Sequence, residues 1–196
     1  MGYVHEGDSA YGPIVAIFVT FSIPCVAYAL AHRQSTHDHS LSGTQSDWFA
    51  SLSTKRFLLD YRALHALAAL VLLFTALAVY PIYAQFSTVA TGIGGLTAYV
   101  CFQLGFSVWV FVLVGKRALM VVTAVAAVTA FFSLLQLALF AQNCGTSTGL
   151  AATALVLWLY ITAEMAVLWR LNRSAAGGFM SVPMADADQT SINEEI

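Results

Sequence analysis

All eight lysine and arginine residues of this 196-residue chain fall in alternate gaps between five long apolar stretches. Each stretch holds about the 20 residues that a helix needs to cross ~30 Å of hydrocarbon. With 59% hydrophobic and only 9% charged residues, the composition excludes an ordinary soluble domain. We therefore predict an all-α, polytopic membrane protein built as a five-transmembrane-helix bundle. The predicted spans, numbered one to five in chain order, cover about 13–31, 63–85, 93–114, 118–141 and 148–169.

The basic residues also predict how the bundle is oriented. Residues 1–12, 85–92 and 142–147 carry no Lys or Arg. The gaps after spans one, three and five, with their edges, carry all of them: Arg33, Lys55, Arg56, Arg62, Lys116, Arg117, Arg170 and Arg173. Because basic residues stay on the cytoplasmic or equivalent side during insertion, we expect the N-terminus outside and the C-terminus inside. Residues 1–12 then form an outer N-terminal segment, 13–173 the transmembrane domain, and 174–196 a disordered inner tail.

Small residues on span three predict a close helix contact. Gly94 and Ala98 are four residues apart, and Gly105 lies further along the same span. Because helix association in lipid depends on close approach of the backbones, such residues mark a packing face. We expect this face to pack inside the bundle, with a homodimer through Gly94, Ala98 and Gly105 as the alternative.

Glu164 is the only acidic residue well inside a predicted span. A carboxylate at that depth is costly and should face the bundle or a wet cavity. Two interpretations stay open. Glu164 is either a proton or substrate site, or a protonated acid hydrogen-bonded to a neighbouring helix, where Gln103 lies at comparable depth. His65 lies near the inner face, where a packing or capping role is more common than a titrating one.

Familiar catalytic and metal-binding patterns are missing from the sequence. The three cysteines include no pair with metal or redox spacing, and the histidines at 32, 37 and 39 belong to a loop that fixes no geometry. There is no Gly-rich phosphate loop, no nucleophile–base set and no histidine pair for haem. The sequence thus predicts no enzyme, no metal and no cofactor. The basic cluster before span two is interpreted as a topology signal beside the lipid bilayer, with no nucleic-acid partner.

Three short motifs stand before span two, within span three and after span five. They are Trp48-Phe49-Ala50-Ser51-Leu52, Phe102-Gln103-Leu104 with Trp109, and Trp169-Arg170-Leu171-Asn172. They resemble the Trp-Tyr-x-x-Leu, Gln-Leu-x-Leu-Asn-x-x-Trp and Trp-x-Leu-Asn motifs of the TspO/MBR family, the translocator or tryptophan-rich sensory proteins. The chain departs from the family pattern in span five, where Leu157-Trp158-Leu159-Tyr160 replaces Pro-Tyr-Leu-x-Trp. The resemblance implies a five-helix membrane protein that binds a hydrophobic or tetrapyrrole-like small molecule.

The favoured prediction is a non-enzymatic binder or transporter of such a molecule, a porphyrin or a sterol for example. Its cavity would lie between helices and be capped on the inner side by residues 48–62. The predicted ligand-binding residues are Gln103, Trp109, Trp158, Tyr160 and Glu164, with Trp48 and His65 at the lid. The alternatives are a tetraspan scaffold similar to MARVEL proteins, an accessory subunit of a larger membrane complex, and a proton-coupled transporter that uses Glu164.

An odd number of crossings predicts that the two ends of the chain lie on opposite sides of the bilayer. In sealed vesicles of known orientation, protease should therefore remove a tag fused to either Met1 or Ile196, but not both. Detergent should make the second tag accessible. Removal of both tags from intact vesicles would contradict the five-span topology.

Overall fold

Helices form nearly all of the described chain, which covers residues 11–37, 45–52, 59–84, 90–142 and 145–178 in this computed structural model. No strand occurs in these ranges. The elements are α1 (Tyr11–His37), α2 (Gln45–Ser51), α3 (Tyr61–Ala84), α4 (Ala90–Phe111), a π-helical turn (Val112–Lys116), α5 (Leu119–Phe140) and α6 (Gly145–Gly178). Each of these helices except α2 is long and apolar enough to cross a membrane. The all-α prediction and the five long apolar helices are therefore confirmed, with spans one to five as α1, α3, α4, α5 and α6.

The helices follow the predicted spans closely except at two ends. α1 continues to His37, past the predicted end at residue 31. α6 continues to Gly178, so it enters the segment that the sequence predicts as a disordered tail. Residues 1–10 and 179–196, which hold most of the predicted outer segment and tail, lie outside the described residues.

Two local features fix helix ends in the connections. α3 begins at Tyr61 because Asp60 caps it, with Asp60 Oδ1 accepting a hydrogen bond of 2.6 Å from the backbone N–H of Ala63. The turn between α4 and α5 ends at Arg117, whose φ of 52° places it in the left-handed region. The backbone N–H of Arg117 donates to the Val112 carbonyl at 3.0 Å, and this bond closes the π-helical turn.

Successive long helices run in opposite directions. Between α4 and α5, Gly94 lies beside Leu139 and Gly105 beside Thr129, which is the pairing of an antiparallel hairpin. The alternation brings the described basic residues to one end of the bundle. This end, called the basic end below, carries Arg33, Arg62, Lys116, Arg117, Arg170 and Arg173.

The small residues of α4 pack within the chain. Gly105 is so close to α5 that a methyl group in its place would overlap the hydroxyl of Thr129. Ala98 is 2% exposed. These contacts fit the packing interpretation of Gly94, Ala98 and Gly105. A homodimer through this helix stays a prediction, and the apolar surface that α4 leaves for it consists of Ile93, Val100, Leu104 and Val108.

The Gly105–Thr129 contact makes a substitution at Gly105 costly. We expect Gly105→Ala to lower the free energy of unfolding by about 1–3 kcal/mol, because the added methyl group overpacks the α4–α5 interface. Thermal unfolding in detergent micelles measures the effect. Gly149→Ala is the matched control, since nothing lies within 4 Å of the added group. Equal unfolding temperatures for Gly105→Ala and the unmodified protein would contradict the packing account.

A candidate ligand cavity between three helices

A cavity of about 300 Å³ lies between α1, α3 and α4. Each helix lines it with one face, because the lining residues recur at intervals of three and four. They are Phe21, Pro24, Cys25 and Tyr28 on α1, His65, Ala68, Ala69 and Leu72 on α3, and Phe106, Trp109, Val110, Leu113 and Val114 on α4 and its π-helical turn. The walls are almost wholly apolar, and the polar groups sit at the end marked by Tyr28 and His65.

The cavity exists because α1 is held against α4 at two separated points. Thr20 Oγ1 and the Tyr99 hydroxyl are hydrogen-bonded at 2.7 Å on the side away from the basic end. Near the basic end, Ala31 is fully buried and lies against Gly115 of the π-helical turn. Between these points, the facing residues of α3 include the small side chains of Ala68 and Ala69. The helices are therefore kept together at both ends while space remains in the middle.

The mouth of the cavity lies between α1 and α3. Cys25 and Tyr28 on α1 and Ala69 on α3 line the cavity and are exposed, whereas Leu72 and Trp109 on its deeper walls are buried. The outward face of α1 beside this mouth is apolar, with Phe18 74% exposed. The cavity thus opens onto an apolar surface of the bundle.

Aromatic rings connect the basic end of the cavity to α2. The rings of Tyr61 and His65 have centroids 4.1 Å apart, and the ring of Tyr28 lies 6.3 Å from that of His65. On the other side, Tyr61 contacts Phe49 of α2 at 5.8 Å, and Phe49 contacts Trp48 at 6.3 Å. α2 therefore reaches this end of the cavity through Tyr61 but contributes no lining residue, and its role as a lid stays a prediction. Residues 53–58 of that predicted lid lie outside the described residues.

Trp109 of the deep wall packs against a second tryptophan, Trp158. The rings of Trp109 and Trp158 are 5.2 Å apart and nearly perpendicular. Trp158 Nε1 donates a 3.1 Å hydrogen bond to the Ala126 carbonyl. Trp109 Nε1 is buried and finds no acceptor in the described part of the chain. Trp109 lines the cavity, whereas Trp158 stands behind it in the core.

The seven residues predicted from the sequence are therefore not gathered at one site. His65 and Trp109 line the cavity, Trp158 supports Trp109, and Trp48 reaches the basic end only through other rings. Three predicted residues do not line it: Gln103, Tyr160 and Glu164.

Those three residues lie in other parts of the bundle. Gln103 is buried in α4, and its side-chain amide makes no hydrogen bond within the described residues. Tyr160 is 45% exposed on α6, one turn before Glu164, which is 8% exposed. Glu164 Oε2 is buried and has no hydrogen-bond partner among the described residues. Both interpretations of Glu164, a functional site and a buried structural acid, therefore stay predictions.

The contribution of α1 is what sequence reasoning missed. Phe21, Pro24, Cys25 and Tyr28 occupy one face at helical spacing, and Thr20 precedes them. The three- and four-residue spacing of these side chains is a signal for one face, but Phe18 and Ser22 lie off that face and weaken it. No three His, Cys, Asp or Glu side chains come together in the described ranges, so nothing there indicates a metal centre.

Comparisons with models of known protein families and with curated proteins find no match for this chain. The resemblance to the TspO/MBR family is therefore still a prediction.

The different partners of Trp109 and Trp158 predict different costs of substitution. Trp158→Phe removes a buried hydrogen bond, whereas Trp109→Phe removes an N–H that has no partner. We expect Trp158→Phe to destabilise the protein by about 1 kcal/mol more than Trp109→Phe, the net value of one hydrogen bond. Unfolding temperatures of the two variants in the same detergent test this. A larger loss for Trp109→Phe would contradict the assignment.

Proposed function

We propose that this chain is an integral membrane protein that crosses the bilayer five times and binds or transports a hydrophobic small molecule without catalysing a reaction. The cavity between α1, α3 and α4 is the observation that supports the proposal. It is concave, apolar and built from side chains of three helices, as small-molecule sites commonly are.

The volume and the lining bear on the kind of ligand. About 300 Å³ is at the lower limit of the range of ~300–1,000 Å³ typical of ligand pockets. A tetrapyrrole carries carboxylates, and none of the described residues that line this cavity is a Lys or Arg that could pair with them. We therefore favour a sterol-like or chain-like apolar molecule over a porphyrin.

An apolar cavity of this size is costly to leave empty. At ~24 cal/mol per Å³, an unfilled apolar cavity of 300 Å³ would cost about 7 kcal/mol. Because the mouth between α1 and α3 opens onto an apolar surface, the occupant would enter sideways from the hydrocarbon. Either a specific ligand or an ordinary lipid acyl chain satisfies this argument, so binding has to be measured against a lipid background.

The proposed orientation follows from the basic end. Arg33, Arg62 and the other described basic residues would lie on the cytoplasmic or equivalent side, with the N-terminus on the opposite side. His65 and Tyr28 belong to the end of the cavity nearer these residues, so the site would lie in the inner leaflet.

A scaffold or accessory subunit is the second candidate. It is favoured by the long apolar faces that the chain leaves uncovered, among them Met120, Val128 and Phe131 on α5. Lipid covers such faces in any membrane protein, so they support a protein partner less directly than the cavity supports a ligand. Native mass spectrometry after mild extraction distinguishes the two: a stable hetero-complex favours the scaffold, and a ligand-bearing monomer or dimer favours the binder.

Proton-coupled transport through Glu164 is the weakest of the candidates. Glu164 does not line the cavity, so the observation that supports ligand binding gives no support to this candidate. Uptake that depends on pH and disappears in Glu164→Gln would support this candidate instead.

A bulky residue at the mouth should block binding. The probes are dehydroergosterol, which accepts excitation energy from tryptophan, and protoporphyrin IX, which quenches it; both are titrated into protein in lipid nanodiscs. We expect dehydroergosterol to bind at micromolar levels and Ala69→Trp to weaken it at least tenfold, because Ala69 lines the mouth.

Ala66→Trp is the matched control for this experiment. Ala66 is another exposed alanine of α3, but it does not line the cavity, so binding should be unchanged. Failure of the unmodified protein to bind either probe would contradict the proposed function. Equal loss in both variants would place the binding site elsewhere.

A further inference from the structure

We propose that the cavity selects an amphiphile with a single hydroxyl group, and that His65 Nε2 accepts the hydrogen bond from this hydroxyl. The inference rests on the proposed function and specifies the ligand chemistry of the same site. It assigns His65 as the residue that distinguishes an alcohol from a molecule of the same shape without an O–H donor.

The hydrogen bond at the other ring nitrogen fixes the role of Nε2. His65 Nδ1 lies 2.8 Å from the backbone carbonyl of Tyr61. A carbonyl oxygen can only accept, so Nδ1 carries the proton and donates it. In the neutral imidazole the proton is then absent from Nε2, which presents a lone pair.

Nε2 is also available to a ligand. It makes no hydrogen bond within the described part of the chain, and it is not among the side-chain atoms buried without a partner. The ring is held in place on two sides, by Tyr61 at 4.1 Å and by the edge of Tyr28 at 6.3 Å. An acceptor fixed in this way at the edge of an apolar cavity costs little to orient when a donor arrives.

Among the described residues, the rest of the lining offers a ligand few other polar contacts. Trp109 Nε1 is covered, and the Tyr28 hydroxyl belongs to a ring that lies against His65, so both polar groups of this end are near one another. A ligand with several polar groups would leave the others unpaired in the cavity, which is costly. A single O–H group on an apolar body is the chemistry that fits.

The direction of the site matches the way such molecules lie in a bilayer. His65 belongs to the basic end, and Leu72 marks the cavity seven residues further along α3, or about 10 Å at 1.5 Å per residue. The hydroxyl would then lie towards the headgroups and the apolar body towards the bilayer centre. A lipid alcohol of the inner leaflet could enter through the mouth without turning over.

The test compares alcohols with their methyl ethers, which keep the oxygen but lose the donor. Cholesterol and cholesteryl methyl ether form one pair, and oleyl alcohol and oleyl methyl ether form the other. Each competes with dehydroergosterol for the full-length protein in nanodiscs. We expect the alcohol to bind roughly 3- to 10-fold more tightly than its ether in at least one pair, as one hydrogen bond predicts. A preference in the cholesterol pair would identify the ligand as a sterol, and a preference in the oleyl pair would identify it as a chain alcohol.

Variants of His65 distinguish a role in recognising the ligand hydroxyl from a role in supporting the fold. His65→Phe keeps an aromatic ring but has no acceptor. The ratio of the Kd of the ether to the Kd of the alcohol should therefore fall to about one, while the ethers still bind. His65→Gln restores an acceptor oxygen and should recover part of the preference. A purely structural role would instead weaken alcohol and ether equally.

The outcomes also separate this inference from the proposed function. Equal binding of alcohol and ether in both pairs by the unmodified protein would overturn the role of His65 and leave the cavity as a binding site. An unmodified protein that binds none of the compounds would overturn the proposed function itself.

Discussion

Hydrocarbon cannot hydrogen-bond a peptide group, and this constraint underlies the whole proposed arrangement. A chain that crosses it must satisfy its backbone within helices, and those helices gain little from hydrophobic burial against one another. Their association depends instead on close contact and on a few polar bonds. Gly105 provides such a close contact with Thr129, and Trp158 provides such a polar bond to the Ala126 carbonyl. α4, α5 and α6 form a closely packed unit for this reason.

α1 is attached differently, and the cavity follows from that difference. Its hydrogen bond from Thr20 to Tyr99 and its contact between Ala31 and Gly115 fix two points on α4. Small residues on the facing side of α3 leave the interval between those points open. A peripheral helix that is fixed at two points can border a cavity without closing it. The cavity can then keep a defined shape and still be open to the proposed bilayer. The proposed ligand binding would then depend on packing against this apolar lining, since none of the described lining residues is a Lys, Arg, Asp or Glu.

The sequence predicted the helices better than it predicted the site. The apolar length of a span can be read from that span alone, and the basic residues can be read from each connection. The five long helices could therefore be derived directly, without knowing how the helices pack. The predicted span two begins at residue 63, whereas the Asp60 cap starts α3 at Tyr61. Which face of each helix meets which neighbour depends on all helices together. Glu164 therefore stood out by its chemistry but lies away from the cavity, whereas Tyr28 and Cys25 line it.

Electron cryomicroscopy of the protein in lipid nanodiscs tests the central claim most directly, because it shows both the cavity and its contents. The account predicts an elongated non-protein density between α1, α3 and α4, in contact with Trp109 and ending beside His65. It also predicts that this density reaches the lipid between Cys25 and Ala69. A map in which α1 packs directly onto α3 along the whole interval, with no space and no density between them, would contradict it.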